Sequence, residues 1–211
     1  MTNIPRPLSV TVDIVIFTIR DRRLQVLLIR RLAKPFANKF ALPGGFVLEK
    51  ESVEAAAVRE LREETGIDKV YLEQLYTFGE PNRDPRGRVI TVAYYALVPH
   101  TQSLHAGTDA ADAAWFPVAE LPPLAFDHRK IIDYAHMRIR NKLNYTNVGF
   151  ELLARKFTLT ELQLVHEAIL GETLDKRNFR RRIIQQGIVK PLEEWVQTGR
   201  KPAQLYRFSS M

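Results

Sequence analysis

Three glutamates, Glu60, Glu63 and Glu64, occupy positions i, i+3 and i+4 of one candidate helix. Side chains at this spacing project from the same helix face, within reach of each other. Neighbouring carboxylates raise each other's pKa and disfavour the helix unless a cation offsets their charge. Oxygen ligands in this number suit Mg²⁺ or Mn²⁺, and Mg²⁺ usually shares its coordination with substrate phosphates. The helix therefore predicts a divalent-cation site for a di- or polyphosphate.

The segments around these glutamates predict the elements that position them. Gly44 and Gly45 allow a close approach of backbone to neighbouring groups, Ser52 is a candidate cap for a helix running to about Thr65, and Gly66 is its stop signal. Strand-like runs occupy residues 9–19, 24–31, 70–78, 89–98 and 113–118. A further helical pattern covers residues 127–145. Strands alternating with a few helices predict a mixed α+β fold.

The spacing of these residues resembles the Nudix box. Gly45 is followed after five residues by Glu51, and after seven more by the run 59–67, Arg-Glu-Leu-Arg-Glu-Glu-Thr-Gly-Ile. The resemblance implies a mixed sheet sandwiched between helices and attack of water on a phosphorus of a nucleoside diphosphate linked to another group. It also implies a metal held by Gly45, Glu60, Glu63 and Glu64, with Arg59 and Glu51 as further catalytic residues. The alternatives are a solvated helix face and a box that binds nucleotide without turnover.

The general base and the substrate depend on segments outside the box. The candidate bases are Glu80, Asp109 and Asp112. Pro81 and the loop that follows it resemble a feature of ADP-ribose pyrophosphatases, which favours ADP-ribose as the ligand. Gly44 and Gly45 and the loop residues Pro81, Arg83, Arg86 and Arg88 are the candidate substrate-binding residues. The alternative for the three arginines is an exposed, solvated turn.

Charge is divided unevenly along the chain of 211 residues. Residues 1–120 hold 15 basic and 15 acidic side chains, whereas residues 121–211 hold 16 basic and 9 acidic ones, so the whole excess of +7 lies in the C-terminal part. This pattern predicts a polyanionic partner for that part, or alternatively a solvated basic surface. No cysteine occurs, and the first apolar run is too short and too interrupted to be a membrane anchor. We therefore expect a cytoplasmic protein without a membrane partner.

The last sixty residues predict a helix, a turn, a second helix and a basic hairpin. Thr158 to Glu161 matches a capping box, Gly171 ends that helix, and Asp175 is a candidate cap for a helix through Gln186. Short strands are expected at residues 188–192 and 204–208. In the second helix, Phe179, Ile183 and Ile184 are expected to face inward and the basic side chains outward. The candidate DNA contacts are Lys176, Arg177, Asn178, Arg180, Arg181, Arg200 and Lys201.

The order of the two parts resembles the Nudix-related transcriptional regulators of the NrtR type, which join a Nudix domain to a winged helix and respond to ADP-ribose. We expect a Nudix domain at residues 1–145, with a trailing helix or linker from about 121, and a winged-helix domain at residues 146–211. The resemblance implies nucleotide-responsive regulation linked to NAD metabolism, double-stranded DNA as a partner and a homodimer. Because the box is intact, hydrolysis of ADP-ribose to AMP and ribose 5-phosphate is also expected. The alternatives are a silent ADP-ribose sensor, a plain hydrolase without DNA binding, and a helical appendage used for packing or dimerisation.

Overall fold

The computed structural model describes residues 8–100, 113–198 and 201–209. In that part of the chain seven strands form one mixed sheet, with the order β3-β2-β1-β6-β5, while β4 pairs with β1 and β7 pairs with β2. The strands are β1 (Ser9–Arg20), β2 (Arg23–Arg30), β3 (Phe40–Ala41), β4 (Gly44–Phe46), β5 (Tyr71–Phe78), β6 (Val89–Leu97) and β7 (Ala113–Pro117). β1 and β6 are parallel and the other pairs are antiparallel.

The central strand β1 is buried on both faces. Val12, Ile14 and Ile16 belong to one hydrophobic cluster together with residues of helix α1 (Val53–Thr65). Val15 and Phe17, which alternate with them, belong to a second cluster with residues of helix α2 (His128–Lys142). Because successive side chains of a strand point to opposite faces, one strand supplies both layers of core. The expected sandwich of a mixed sheet between helices is therefore confirmed.

Helix α1 begins and ends where the sequence predicts. The hydroxyl of Ser52 accepts a hydrogen bond from the backbone N–H of Ala55, which satisfies one of the free N–H groups at the start. Gly66 ends the helix at φ 68°, a left-handed conformation that costs glycine little. The buried Ala56 and Ala57 lie against the sheet, so the helix approaches it closely. This packing fixes the helix face that carries the three glutamates.

The C-terminal part has the expected helix-turn-helix and hairpin. Helix α3 (Leu159–Leu170) begins with a complete capping box between Thr158 and Glu161, and helix α4 (Lys176–Gln185) begins at Asp175, whose carboxylate accepts from the N–H of Asn178. Strands β8 (Val189–Thr198) and β9 (Lys201–Phe208) form the hairpin. No helix within the described ranges is both long enough and apolar enough to cross a membrane.

Two details of this part differ from the expectation. The side chain of Ile184 is 55% exposed, so its predicted inward orientation is wrong. Phe179 and Ile183, four residues apart, are buried on one face, and Ile184 is rotated by about 100° from Ile183 around the helix. The hairpin strands are also longer than predicted. Most of β8 is solvent-exposed, so its sequence lacks the alternation that marks a half-buried strand.

The two parts of the chain share one hydrophobic cluster. Val165 and Ile169 of α3 belong to the same cluster as Ile132 and Ile139 of α2 and the strand residues beneath them. The imidazole Nε2 of His136 on α2 also lies 2.9 Å from the backbone oxygen of Ile169, near the end of α3. A smaller cluster, with Leu162, Phe179 and Ile183, joins α3 to α4. Helix α3 therefore packs against both the sheet domain and α4.

We predict that acid destabilises the protein through His166. This side chain is only 8% exposed, and burial, aided by nearby Arg182, lowers the pKa of His166 from 6.5 to about 4. Between these values the unfolded chain binds the proton and the folded one does not, so stability is complete above pH 6.5 and is lost as the pH falls. Relative to His166→Gln, the wild type should lose about 2 kcal/mol of unfolding free energy between pH 7.5 and 5.

Urea unfolding of both proteins across this pH range is the measurement. A difference between wild type and His166→Gln that stays constant with pH would contradict the assignment, because the titration of this side chain would then be absent from the stability.

Candidate functional site

Strand β4 and helix α1 hold the acidic cluster against the backbone of the double glycine. The N–H of Gly44 donates a hydrogen bond to Oε2 of Glu64 at 2.8 Å. A Cβ placed on Gly45 would collide with the carboxylate of Glu60. Glycine at this position therefore lets that carboxylate lie directly against the β4 backbone. The pair of glycines acts as a cradle for two of the three predicted glutamates.

Arg59 links the carboxylates of the cluster to one another. Its guanidinium donates to both carboxylate oxygens of Glu51, at 2.6 and 3.0 Å, and to Glu60 at 2.7 Å and Glu63 at 3.1 Å. A fifth hydrogen bond, 3.2 Å long, reaches the backbone oxygen of Phe46 in β4. The planar fork of arginine suits such multidentate contacts. The hydrogen bonds to Glu51 are the main reason that the pKa of Arg59 is raised.

The two inner carboxylates are desolvated. Burial raises the pKa of Glu60, although Arg59 opposes the shift. Burial also raises the pKa of Glu64 to about 8; the Gly44 hydrogen bond opposes this shift, while the charges of Glu60 and Asp13 add to it. A carboxylate in this position is stabilised by either a proton or a cation. A bound cation would therefore stabilise the ionised carboxylates at the inner end of the cluster.

The chemistry of this donor set fits a hard divalent cation, because it offers carboxylate oxygens beside a backbone strand. Among residues 8–100, 113–198 and 201–209, no three or more His, Cys, Asp or Glu side chains are arranged to hold a metal ion. Glu63 points largely to solvent, with its side chain 59% exposed, and Glu60 and Glu63 are both bonded to Arg59. Coordination by all three glutamates would therefore require Arg59 to release at least one of them.

A cleft of about 180 Å³ adjoins the double glycine. Its walls include Thr11 and Asp13 of β1, together with Arg31 directly after β2 and arginines of the loop before β6. The hydroxyl of Thr11 is buried and has no hydrogen-bond partner. A buried polar group without a partner costs free energy, and a ligand in the cleft would supply one. The cleft is therefore a candidate ligand site on an observation independent of the acidic cluster.

A buried ionic network forms the floor of the cleft. Arg83 donates to Asp127 at 2.7 and 3.1 Å and to Asp13 at 3.3 Å, and its side chain is 3% exposed. The N–H of Leu42 donates to Nδ1 of His128 at 2.8 Å, which leaves Nε2 as the protonated nitrogen, 3.4 Å from Asp13. Burial lowers the pKa of His128, so its ring is neutral at neutral pH. The network ties together β1, the start of α2 and the loop of residues 79–88 between β5 and β6, called the 80s loop below.

Aromatic side chains hold two further arginines at the mouth of the cleft. The guanidinium groups of Arg31 and Arg86 lie 4.8 and 5.4 Å from the ring centroid of Phe126. Arg86 also lies 5.1 Å from the ring of Phe46 and forms an ion pair with Asp84 at 2.6 Å. Burial and the charge of Arg86 lower the pKa of Arg31. An anion beside these two cations would relieve their mutual repulsion.

The structure separates the substrate-binding residues that the sequence suggested. Gly44, Gly45, Arg83 and Arg86 line the cleft. Pro81 and Glu80 lie on an adjacent depression instead, which also borders Phe36, Phe126 and Lys130. Arg88 donates to the backbone oxygen of Gly79 at 2.7 Å and stabilises its own loop. Asp109 and Asp112, two of the candidate bases, lie outside the described residues.

Several cleft residues were not proposed from the sequence. They are Thr11, Asp13, Arg31, Leu42, Phe46, Asp84, Phe126 and His128. Asp13 carried the one available signal, since a charged residue interrupts the apolar run of β1. Phe126 and His128 gave none, because the chain must fold before the start of α2 reaches the double glycine. The cleft is thus assembled from residues far apart in the sequence.

The second candidate site is the outer face of α4. Lys176, Arg177, Asn178 and Arg181 are exposed there, and Arg181 donates to the side-chain oxygen of Asn178 at 2.8 Å. Arg180 is half-buried and donates to the hydroxyl of Thr160 on α3 at 2.9 Å, so it helps to fix the angle between the helices. In the hairpin Lys201 is exposed, and Arg200 lies outside the described residues. The four exposed side chains present donors suited to phosphates and base edges.

Two protein-family models match the chain. The NUDIX domain model matches residues 8–135. The model of the NrtR DNA-binding winged helix domain matches residues 149–208. The first match spans the sheet, the acidic cluster and the cleft, and the second spans α3, α4 and the hairpin.

Two similar proteins match nearly the whole chain, and a third matches about half of it. The ADPR responsive transcriptional repressor NtrR of Acinetobacter baylyi is 43% identical over 209 residues, which cover 97% of this chain and 83% of that protein. The crystal structure of Shewanella oneidensis NrtR complexed with a 27mer DNA is 37% identical, with a TM-score of 0.83 over 95% of this chain and 93% of that one. The ADP-ribose pyrophosphatase of Methanocaldococcus jannaschii is 48% identical over 118 residues, 56% of this chain and 68% of that protein.

We predict that Glu64→Gln stabilises the metal-free protein at alkaline pH. Because the folded pKa of Glu64, about 8, exceeds its ordinary value of 4.5, the folded state holds a proton that the unfolded state releases between these values. Wild-type stability therefore falls as the pH rises from 4.5 to 8, and the amide lacks this loss. Between pH 5 and 9 the variant should gain at least about 2 kcal/mol over the wild type.

Thermal or urea unfolding in EDTA measures the difference, and Glu63→Gln is the matched control. It removes a mainly exposed carboxylate from the same helix, so its stability should follow the wild type across this pH range. Equal pH profiles for Glu64→Gln and the wild type would show that Glu64 is not desolvated.

Proposed function

We propose that this chain, which belongs to the NUDIX domain family and carries the winged helix of the NrtR regulators, is an ADP-ribose-responsive transcriptional repressor. The observation that carries the proposal is that one hydrophobic cluster joins the domain with the arginine-lined cleft to the cationic helix-turn-helix. Resemblance to a repressor over 97% of the chain supports both halves at once. A separate enzyme domain would not require this shared core.

The cleft supports ADP-ribose as the ligand through its charge and its position. Arg31 and Arg86 supply cations beside the acidic cluster, and the hydroxyl of Thr11 supplies a free donor. A diphosphate suits this combination, because its oxygens accept hydrogen bonds from both kinds of group. The relatives named for ADPR and ADP-ribose support the same choice. Pro81 and Arg88 remain proposed substrate contacts, but they belong to the loop before β6 and do not line the cleft.

A divalent cation, Mg²⁺ or Mn²⁺, fits the inner end of the acidic cluster. Glu60, Glu63, Glu64 and the backbone of Gly45 would hold it, with Arg59 and Glu51 keeping the carboxylates oriented. When bound, such an ion polarises phosphoryl oxygens and neutralises the leaving phosphate. Glu64 is only partly exposed there, and its carboxylate accepts a hydrogen bond from the N–H of Gly44. Glu80, Asp109 and Asp112 are the proposed candidates for the base that takes the water proton.

Hydrolysis of ADP-ribose is a second proposed function. The intact box and the 48% identity with an ADP-ribose pyrophosphatase favour it. Water would attack one phosphorus, the bond to the bridging oxygen would break, and AMP and ribose 5-phosphate would be released. A silent ADP-ribose sensor is the alternative in which the same residues bind the ligand without turnover.

The exposed face of α4 supports double-stranded DNA as the partner. Lys176, Arg177, Asn178 and Arg181 would face the major groove, with Lys201 and Arg200 of the hairpin near the adjacent backbone. Arg180, held by Thr160, would act by orienting the helix. A two-fold dimer is proposed as the binding form, since it would match a palindromic operator.

We predict that Arg177→Ala/Arg181→Ala weakens DNA binding by at least tenfold at moderate salt. If both side chains contact phosphates, the slope of log affinity against log salt should also fall by about two. Arg140→Ala, an exposed arginine of α2, is the matched control and should leave the slope unchanged. The measurement is fluorescence anisotropy with a duplex that the wild-type chain selects from a random library. Selection of no duplex would favour a plain hydrolase.

We predict that AMP is released from ADP-ribose in the presence of Mg²⁺ and that Glu64→Gln lowers the rate by at least a hundredfold. Glu54→Gln, on the first turn of the same helix, should retain the wild-type rate. Chromatographic detection of AMP is the measurement, and calorimetry in EDTA reports ADP-ribose binding separately. Binding without turnover would support the silent sensor, whereas loss of both would remove ADP-ribose as the ligand.

A further inference from the structure

Helix α2 begins differently from the other α-helices in the described ranges. Ser52, Thr158 and Asp175 precede α1, α3 and α4 with extended backbone, at ψ 162°, 155° and 118°, and each side chain accepts a hydrogen bond from the helix. Asp127 precedes α2, but its ψ is 20° and its side chain makes no such bond. Aspartate is among the most favourable N-cap residues. The Asp127 carboxylate therefore does not cap α2, although its position and residue type would allow it to.

Arg83 binds the Asp127 carboxylate in place of the helix start. Both oxygens of the Asp127 carboxylate accept hydrogen bonds from the Arg83 guanidinium, at 2.7 and 3.1 Å. The same guanidinium lines the cleft, where the unpartnered hydroxyl of Thr11 also points to a missing ligand. A diphosphate in the cleft would offer Arg83 alternative acceptors with more negative charge than one carboxylate. A diphosphate in the cleft would therefore compete with Asp127 for the Arg83 guanidinium.

The residue before Asp127 joins the cleft wall to the helix start. Phe126 has a φ of 52°, in the left-handed region that bulky side chains rarely adopt. Its ring contacts Arg31 and Arg86 at the cleft mouth and lies 5.2 Å from the ring of His128. Strain of this kind persists only where surrounding contacts hold it. Two adjacent residues thus carry unusual backbone geometry where the cleft meets α2.

Movement of α2 would reach the winged helix directly. His136 lies 2.9 Å from the Ile169 oxygen in the last turn of α3, and Ile132 and Ile139 share a cluster with Val165 and Ile169. In turn α3 packs on α4 through Leu162, Phe179 and Ile183, and through the bond between Thr160 and Arg180. Packed helices have few intermediate arrangements, so a shift of one helix is passed to its neighbours.

We propose that Arg83 and Asp127 are the positioning residues that couple the cleft to the DNA-binding helix. A diphosphate ligand takes Arg83 from Asp127, the freed carboxylate turns to cap α2, and the new start of α2 shifts α3 and α4. The ligand-free state is therefore the one with the ion pair, and the liganded state is the one with the cap. This inference rests on the proposed function, and it adds the residues that transmit the signal.

Two substitutions separate this coupling from a purely structural role. Asp127→Ser keeps a capping side chain but cannot pair with Arg83, so it should hold the protein in the capped arrangement without ligand. Arg83→Gln also frees Asp127, but it removes a ligand contact. Both variants should shift ligand-free DNA affinity in the direction in which ADP-ribose shifts the wild type. The ligand should then change DNA affinity less in both variants than in the wild type.

The expected size of the shift is roughly fivefold, the value of one N-cap hydrogen bond. By linkage, Asp127→Ser should bind ADP-ribose roughly fivefold more tightly than the wild type, because Asp127 no longer competes with the ligand for Arg83. Arg83→Gln should bind it at least tenfold more weakly. A general loss of structure cannot produce opposite changes in ligand affinity together with the same change in DNA affinity.

The experiment uses the full-length chain and a duplex that the wild type selects from a random library. Anisotropy gives DNA affinity with and without ADP-ribose, calorimetry in EDTA gives ADP-ribose affinity, and thermal melts show that each variant is folded. Asp133→Ser is the matched control, because it makes the same change at an exposed position of α2 whose partner is Arg129. It should match the wild type in both affinities.

The outcomes distinguish the coupling from the function on which it rests. If ADP-ribose alters wild-type DNA binding but Asp127→Ser shows neither a shifted affinity nor a reduced ligand effect, the coupling is overturned and the repressor function stands. The same holds if the two variants shift DNA affinity in opposite directions. If ADP-ribose leaves wild-type DNA affinity unchanged, or no duplex is selected, the repressor function itself fails and the coupling fails with it.

Discussion

The cleft depends on one buried carboxylate, Asp13, in the middle of the central strand β1. A carboxylate at this depth is tolerable only with partners that replace its hydration. Arg83 and the neutral His128 lie closest, at 3.3 and 3.4 Å, and each comes from a different segment of the chain. The requirement to satisfy Asp13 therefore fixes where the 80s loop and the first turn of α2 must lie. The cleft is the space that these constrained segments leave beside the double glycine.

A second arginine, Arg59, pairs with several carboxylates nearer the surface. It gathers the carboxylates of Glu51, Glu60 and Glu63, which would otherwise repel one another across one helix face. The two arginine-centred networks differ in their surroundings, since the side chain of Arg59 is 25% exposed and that of Arg83 is 3% exposed. The outer network is open to water, whereas the inner one is almost fully shielded from it. Under the two proposals, the outer network would hold the carboxylates that bind ions and the inner one would sense occupancy of the cleft.

Much of the fold follows from local sequence signals, and much of the cleft does not. Ser52, Gly66 and the capping box of Thr158 and Glu161 act within a few residues of themselves, so the helices they bound are readable from sequence. The acidic cluster is also local, because the spacing of a helix places its members. In contrast, the pairing of Asp127 with Arg83 joins residues 44 positions apart. From sequence alone Asp127 is only the first residue of a helical pattern and Arg83 is a candidate substrate-binding residue of a loop. Only the folded chain shows that the two side chains pair with each other.

An intact catalytic box does not by itself decide between an enzyme and a sensor, because under the two proposals catalysis and sensing would use different residues. The glutamates of α1 would act on the reacting phosphate, whereas the start of α2 would respond to the presence of the ligand. Helix α3 would pass that response to the winged helix, since α3 contributes residues both to the core beneath the sheet and to the core of the winged helix. A chain with this arrangement can retain hydrolysis, lose it or use it to end its own signal, and the coupling to DNA would survive each case.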